Sequence, residues 1–313
     1  MTKVIFMGTP EFACSILKTL IDDSYNVVAV VTQPDKKVGR QQKIAYSPVK
    51  NMALEHNIPV LQPISIKEDY EEILSYEPDL IVTCAYGQIV PVAVLNAPKY
   101  GCVNVHASLL PRLRGGAPIH KSIMYGEEKT GVTLMYMAKR MDAGDMLAKR
   151  EVVISDTDTV GTLHDTLAVL GSELVHEELP RLLRGELVAV PQNEEEATFA
   201  YNVSKEEEFV SFEADLQTTY NHIRSLIPWP VSYGIIGGKK MKFWSVSKGR
   251  VINDDVLPGT ITAYEDGALK VKAGEGYIYL HEIQMEGKSK MSVKDFMNGA
   301  GKNYIGMQFE KSM

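Results

Sequence analysis

No apolar run among the 313 residues is long enough to cross a bilayer as a helix, so no membrane partner is expected. The N-terminal MTKVIFMGTPEF passes straight into a short strand pattern and lacks the long apolar core and small-residue cleavage site of an export signal. Cysteine is scarce: Cys14, Cys84 and Cys102 are odd in number, lie in apolar patterns and form no metal-ligand pair. These absences set the expectation of a cytoplasmic protein with reduced thiols and no metal. Internal repeats and low-complexity stretches are missing too. The net charge of −7 argues against a protein that coats nucleic acid.

Two nucleotide-binding fingerprints are also absent. The first strand-to-helix turn, MGTPEFA, has Gly8 alone where a dinucleotide fingerprint needs three spaced glycines, and no P-loop pattern occurs. Gly8-Thr9-Pro10 reads as a tight turn with Pro10 near the helix start, in preference to a direct ligand contact.

Charge is uneven along the chain. Residues 208–313 hold 13 Lys and Arg against 12 Asp and Glu, whereas residues 1–207 hold 20 against 28. The organisation changes near the same place. Up to about residue 180, short apolar runs (KVIFMG, NVVAVVTQ, DLIVTCAYG, GCVNVHA) alternate with helical patterns such as PEFACSILKTLID and SPVKNMALEHN, the latter with Ser47 as N-cap and Pro48 at its first position. That predicts an α/β domain, a Rossmann-like, mostly parallel sheet with helices on both faces. A long amphipathic helix from Asp158 is expected to end before Pro180 or to kink there, with Gly185 as a stop. Beyond it, short strands with Gly and Asp turns predict a smaller C-terminal antiparallel β-barrel, OB-like. The expected domains are 1–188 for catalysis, 189–207 as linker and 208–313 as the barrel.

In VNVHASLLPRLRGGAPIH, strand alternation puts Asn104 and His106 on one face, near the C-terminal end of a parallel strand, where open α/β sheets place their sites. Downstream, Asp142 and Asp145 fall in a glycine-containing turn between two apolar runs. An amide, an imidazole and a carboxylate, with no serine or cysteine nucleophile beside them, fit a reaction in which the substrate supplies the nucleophile and the protein supplies an oxyanion donor and a proton acceptor. The alternative is structural: a satisfied histidine in the core and an aspartate capping a turn. On spacing alone both stay open.

NVHASLLPRLRGGAPIH together with TGVTLMYMAKRMDAGDM resembles the 10-formyltetrahydrofolate-dependent formyltransferases. GTPEFA, TQPDKKVGR, AYGQIVP and the PWP near residue 228 narrow the resemblance to the branch whose acceptor is methionine esterified to initiator tRNA. The resemblance implies Asn104, His106 and Asp142 as the catalytic triplet, with Asp145 the second choice of carboxylate. It implies 10-formyltetrahydrofolate as formyl donor, contacted by Ser108, Leu109, Leu110 and Pro111, with Tyr86, Gly87 and Ile89 of AYGQIVP lining the pterin slot through backbone groups. Arg112 and Arg114 are candidates for the folate's glutamate tail, or else for pairing with local acids. The loop 34–47 matches a tRNA-contacting loop with Arg40 at its basic position, joined by Lys36, Lys37 and Lys43; Gln41-Gln42-Lys43 departs from relatives that carry another glycine and more basic residues. Gly39 and the flanking prolines make that loop mobile by expectation.

In the barrel, Lys240 and Lys242 alternate onto one face, away from Phe243, and are candidates for contacts with the tRNA body. A monomer is expected. Sibling enzymes sharing the triplet, a formyl-folate hydrolase domain or a transferase acting on an amino-sugar nucleotide, are separated from this reading by loop 34–47 and the barrel. A non-catalytic folate- or RNA-binding module is the rival of a different class, and an intact triplet beside SLLP speaks against it.

Overall fold

Apolar runs such as KVIFMG and LIVTC have no polar face to leave in water, so the strands they form are covered on both sides. The computed structural model describes residues 2–38, 42–252 and 254–312. Its first elements are β1 (Lys3–Gly8), α1 (Glu11–Asp22), β2 (Asn26–Val31), β3 (Lys36–Val38), β4 (Lys43–Ala45), α2 (Pro48–Glu55), β5 (Val60–Leu61), α3 (Glu71–Ser75), β6 (Leu80–Cys84) and α4 (Val92–Leu95). There follow β7 (Cys102–His106), α5 (Pro118–Met124), β8 (Lys129–Tyr136), β9 (Met146–Val153) and α6 (Val160–Leu183). The chain divides into two compact units, Met1–Pro118 with Thr130–Val152 and His164–Tyr201, and Ile119–Lys129 with Val153–Leu163 and Asn202–Met313. The stretch 189–207, expected as a linker, is thus divided between the units at residues 201 and 202.

The first unit holds a seven-stranded sheet in the order β5-β2-β1-β6-β7-β8-β9. Strands β1, β2, β5, β6 and β7 pair in parallel, and β8 runs antiparallel to β7. After β1 the chain builds outward through β2 and β5, then returns to place β6 and β7 on the other side of β1. The crevice at the carboxyl ends of β1 and β6 is therefore the topological switch point. One face carries Ile5, Met7, Ala29, Val31 and Ile81, packed with Ile73 and Val94 from α3 and α4. The opposite face carries Val4, Phe6, Val30 and Val82, also fully buried. On that face a Cβ placed on Gly171 of α6 would lie 3.2 Å from Ile16 of α1 and 3.4 Å from Val105 of β7. Ser47 caps α2 as expected, its hydroxyl accepting the Lys50 N–H at 3.0 Å.

Of the two outcomes expected at Pro180, an end before it is set aside. Helix α6 runs through Pro180 to Leu183. A proline this close to the helix end forfeits one backbone bond, and the turn closes beyond it: Arg184 N–H donates to the Pro180 carbonyl at 3.2 Å, and Gly185, at φ +71°, donates to Leu182 at 2.9 Å. The loop 34–47 contains a two-stranded hairpin, with Lys36 opposite Ala45, Lys37 opposite Ile44 and Val38 opposite Lys43. Residues 39–41, between these two strands, lie outside the described residues.

The second unit carries α7 (Leu216–Arg224), β10 (Tyr233–Ile236), β11 (Lys239–Val251), β12 (Ile261–Glu265), β13 (Ala268–Ala273), β14 (Gly276–Met285), β15 (Met291–Ser292) and α8 (Val293–Asn298). Its antiparallel sheet runs β10-β11-β14-β13-β12, with β15 on β14. The last residues join the two edges. Ile261 N–H donates to Met307 and Phe309 N–H to Gly259, each at 2.9 Å, and Glu310 N–H donates to Ile235 at 2.8 Å. The sheet is thereby a barrel, around Phe212, Phe243 and Phe309, whose ring centroids are 4.9 to 5.6 Å apart. Among the described residues no helix is long and apolar enough to cross a membrane.

Gly8 is fixed by close approach. A Cβ there would lie 2.7 Å from Ala13 Cβ, 2.8 Å from the Phe6 ring and 2.9 Å from the Cys84 carbonyl oxygen. Gly8→Ala is expected to lower the unfolding free energy by about 1–3 kcal/mol in a denaturant titration; an unchanged midpoint would mean that β1, β6 and α1 separate without cost.

Candidate active site

Strand β7 puts Asn104 and His106 on the same face, as its alternation requires, beside Thr83 of β6 and Thr133 of β8. Polar groups on an otherwise apolar face are costly unless bonded, and both are bonded. Thr83 Oγ1 lies 2.8 Å from Asn104 Oδ1. With the hydroxyl proton given to Oδ1, the Nδ2 end of the amide is left to donate. The buried His106 ring sets Nε2 3.0 Å from the Leu113 carbonyl. A carbonyl only accepts, so Nε2 carries the proton and Nδ1 is the nitrogen turned toward Asp142.

Opposite Nδ1 stands Asp142. Its Oδ2 lies 3.8 Å from Nδ1, too long for a direct hydrogen bond, and accepts the Gly115 N–H at 2.8 Å. Asp142 has φ +50° and Leu113 φ +57°, two non-glycine residues in the left-handed region flanking one histidine. Asp145 is half-buried in the same turn, and its carbonyl accepts the Tyr136 N–H at 2.9 Å. The carboxylate brought to His106 is that of Asp142.

The segment 108–111 is a self-bonded loop next to the pair. The fully buried Ser108 donates through Oγ to the Arg112 carbonyl at 2.7 Å. The Thr133 hydroxyl donates to the Ser108 carbonyl at 2.7 Å and accepts the Leu110 N–H at 3.2 Å, and the Lys149 ammonium donates to the Leu110 carbonyl. Leu110 and Pro111 are buried and Leu109 half-buried. At the end of the neighbouring strand β6, the Tyr86 carbonyl accepts from Thr9 Oγ1 at 3.0 Å and from Gln33 Nε2 at 3.1 Å. Gly87 has φ +92°, and Ile89 is 84% exposed.

Of the two readings left open for Arg114, the geometry matches pairing with an acid. It is not a solvent-side group: it is 1% exposed and paired with Glu194 at 3.0 Å. Arg112 is exposed. Lys36, Lys37 and Lys43 are exposed on the hairpin, and Arg40 lies outside the described residues. Asp35 at the hairpin's base accepts from Lys50 at 2.7 Å and from Gln62 at 2.9 Å. Those bonds, Lys50's first, hold its carboxyl below the usual carboxylate range. In the second unit, Met241 and Phe243 point inward while Lys240 sits 4.1 Å over the Tyr233 ring and Lys242 reaches the Pro230 carbonyl at 3.5 Å. All three cysteines are buried free thiols; burial pushes Cys14 up to about 12 and raises Cys84 and Cys102 as well, so none is a ready nucleophile. Among the described residues no cluster of His, Cys, Asp and Glu is placed to hold a metal.

Two family models match the chain: formyl transferase over residues 2–179, and formyl transferase C-terminal domain over residues 202–301. The chain belongs to the formyl transferase family. Among curated relatives, this formyl transferase is similar to the methionyl-tRNA formyltransferase of Geobacillus thermodenitrificans, 52% identical over 96% of this chain and 95% of that one. Its fold matches HypX from Aquifex aeolicus in complex with tetrahydrofolic acid, with TM-score 0.65 and 18% identity over 96% of this chain; the chain spans 48% of that structure. It also matches the N-formyltransferase from Helicobacter canadensis in complex with folinic acid and dTDP-3-aminofucose, with TM-score 0.66 and 18% identity over 90% of this chain and 99% of that one.

Thr83, Leu113 and Gln192 touch the site and were not singled out from the sequence. Thr83 looks like any β-branched strand residue, Leu113 acts through its backbone, and Gln192 lies in a polar stretch 50 residues from Asp142. The Tyr86 hydroxyl is buried and lacks a hydrogen-bond partner. Tyr86→Phe is therefore expected to raise stability by about 1 kcal/mol in thermal unfolding. A loss of stability would mean that the hydroxyl has a partner, such as an ordered water.

Proposed function

We propose that this chain transfers the formyl group of 10-formyltetrahydrofolate to the α-amino group of methionine on initiator tRNA, acting in the cytoplasm as a monomer. The observation that carries this is the Asn104, His106 and Asp142 arrangement at the end of β7, in a chain so similar along its length to a methionyl-tRNA formyltransferase. Folate-bound relatives of the same fold support a folate-derived donor. No step is assigned to a metal.

The bound donor presents a formyl carbonyl on a folate nitrogen. Asn104 Nδ2 donates to the formyl oxygen as it gains charge, an interaction that typically lowers a barrier by ~3–4 kcal/mol. With Nε2 committed to Leu113, a charged His106 donates through Nδ1, toward the same oxygen or toward Asp142. Asp142 accepts the proton the amine must lose, directly or through a water, its 3.8 Å separation from Nδ1 leaving room for either. A free α-amino group titrates near ~8, so many acceptors arrive protonated and a carboxylate at this place has a task. The balance closes when the new C–N bond forms, the bond to the folate nitrogen breaks, and that nitrogen takes up a proton. The segment 108–111 and the chain end of β6 flank the folate. Lys36, Lys37, Arg40 and Lys43 meet the acceptor end of the tRNA, and Lys240 and Lys242 meet its body.

The test offers the purified protein formyl-folate with methionyl initiator tRNA, methionyl elongator tRNA, free methionine and an amino-sugar nucleotide. Formylation of the initiator methionyl-tRNA in preference to the others is expected; preference for the sugar nucleotide, or hydrolysis alone, overturns the assignment. Asn104→Ala is expected to lower turnover ~10²–10³-fold. His106→Ala and Asp142→Ala fall comparably without adding, whereas Asp145→Asn stays near normal. Collapse in Asp145→Asn with activity in Asp142→Ala reverses the carboxylate assignment.

Replacing Lys36, Lys37 and Lys43 together by Ala should raise KM for tRNA and flatten the log–log salt dependence of binding by about two units, through lost counterion release. An unchanged salt slope places the phosphate contacts elsewhere.

A further inference from the structure

One short segment touches both members of the His106–Asp142 pair. The Leu113 carbonyl accepts from His106 Nε2 at 3.0 Å, and the Gly115 N–H donates to Asp142 Oδ2 at 2.8 Å. Between them, Arg114 turns its guanidinium onto Gln192, with Nε and Nη2 donating to Oε1 at 3.0 and 2.8 Å. Gln192 turns its other end onto the loop that carries Asp142, with Nε2 donating to the carbonyls of Asp142 at 2.7 Å and Gly144 at 2.8 Å. The bonds close a ring from His106 through Leu113, Arg114, Gln192 and Asp142, and back to His106 across the 3.8 Å gap.

The ring is stiff for identifiable reasons. The buried Gln192 carboxamide gives both N–H groups and takes two donors on its oxygen, so its bonding capacity is fully used. Arg114 also forks onto both oxygens of Glu194, at 3.2 and 3.0 Å. The hydrogen bonds of Arg114, and next those of Arg140, hold the Glu194 carboxyl down to about 2, so its charge persists throughout the neutral range. The segment backbone is pinned as well: Leu113 N–H donates to Thr198 Oγ1 at 2.9 Å, Arg114 N–H to the Thr198 carbonyl at 2.9 Å, and Ala200 N–H to the Arg114 carbonyl at 2.7 Å. Gly115 has φ +121°, and a Cβ on it would lie 2.7 Å from the Ala200 carbonyl oxygen, which reserves the position for glycine.

We propose that Arg114 and Gln192 are positioning residues that set the distance and orientation of Asp142 relative to His106 for the formyl-transfer reaction, an inference that rests on the function proposed above. Only a carboxamide satisfies the ring at position 192. A glutamate keeps the acceptors for Arg114 but sets a carboxylate against two carbonyl oxygens, and a methionine of similar length loses all four bonds.

The experiment measures kcat and KM for both substrates in the full chain, in Gln192→Met, Gln192→Glu and Arg114→Lys, and in Gln192→Met combined with His106→Ala. Folded fraction is checked by circular dichroism. Both Gln192 variants should lose about 10- to 100-fold in kcat, as a displaced catalytic group does. KM should stay within about twofold, and Gln192→Met should add little to His106→Ala, because it acts through the same pair. An unaltered kcat in Gln192→Met, or an equal further loss in the His106→Ala background, overturns the proposal. The His106 ring signals in NMR give a readout independent of turnover: displaced or broadened in Gln192→Met if the ring positions the pair, unmoved if it does not. A wild-type protein that formylates none of the amines offered refutes the proposed function, and the NMR comparison still decides the role of the ring.

Discussion

The hydrogen bond from His106 Nε2 to the Leu113 carbonyl gives the site its direction. It settles which imidazole nitrogen carries a proton in the neutral ring and turns Nδ1 toward Asp142. Had the carbonyl been absent, the ring would be free to present either nitrogen, and Asn104 and Asp142 would have no fixed partner between them. The carbonyl is aimed by a left-handed Leu113, and the next residue but one, Gly115, holds the Asp142 carboxylate. Backbone strain of this kind persists only where the surroundings over-determine it, and here they do so through the strand-like pairing of residues 113–117 with 198–200.

The sheet supplies the rest. Reversal of strand order between β1 and β6 opens a crevice at their carboxyl ends, and β7 delivers its two polar residues beside it, on the face that Thr83 shares. The same alternation that buries Val103 and Val105 on one side turns the half-buried Asn104 and the buried His106 to the other. The hairpin at the end of β2 brings a different property. Its one acid, Asp35, is paired with Lys50, and among the described residues no ion pair joins an acid to Lys36, Lys37 or Lys43 on a predominantly acidic chain. That fits the proposed approach of a polyanionic acceptor.

Much of this was legible in the sequence, and the divisions are physical. Continuous apolar strands between helical patterns gave the parallel sheet, and period-two alternation put Asn104 with His106 and Lys240 with Lys242. Asp142 could not be separated from Asp145 by spacing, because a turn has no period; family resemblance chose it, and its carboxylate lies 3.8 Å from His106. For Arg114 the sequence left a solvent-side role and acid pairing both open, because nothing local marks its partners: Gln192 and Glu194 come from 78 and 80 residues away. Their surroundings, NEEEATF, read as a polar connection. Pro180 left an end or a kink open, and the helix does not end before it. A strong local rule met a helix whose last turn had little left to lose.

The orientation of His106 can be measured directly. In protein labelled with nitrogen-15 at histidine, two-bond correlations assign the proton of the neutral imidazole to one ring nitrogen. A proton on Nε2 of His106 is expected, with Nδ1 carrying the lone pair opposite Asp142. A proton on Nδ1 of the neutral ring would contradict this, since Nε2 would then have nothing to donate to Leu113 and the geometry on which the proposed chemistry rests would not exist.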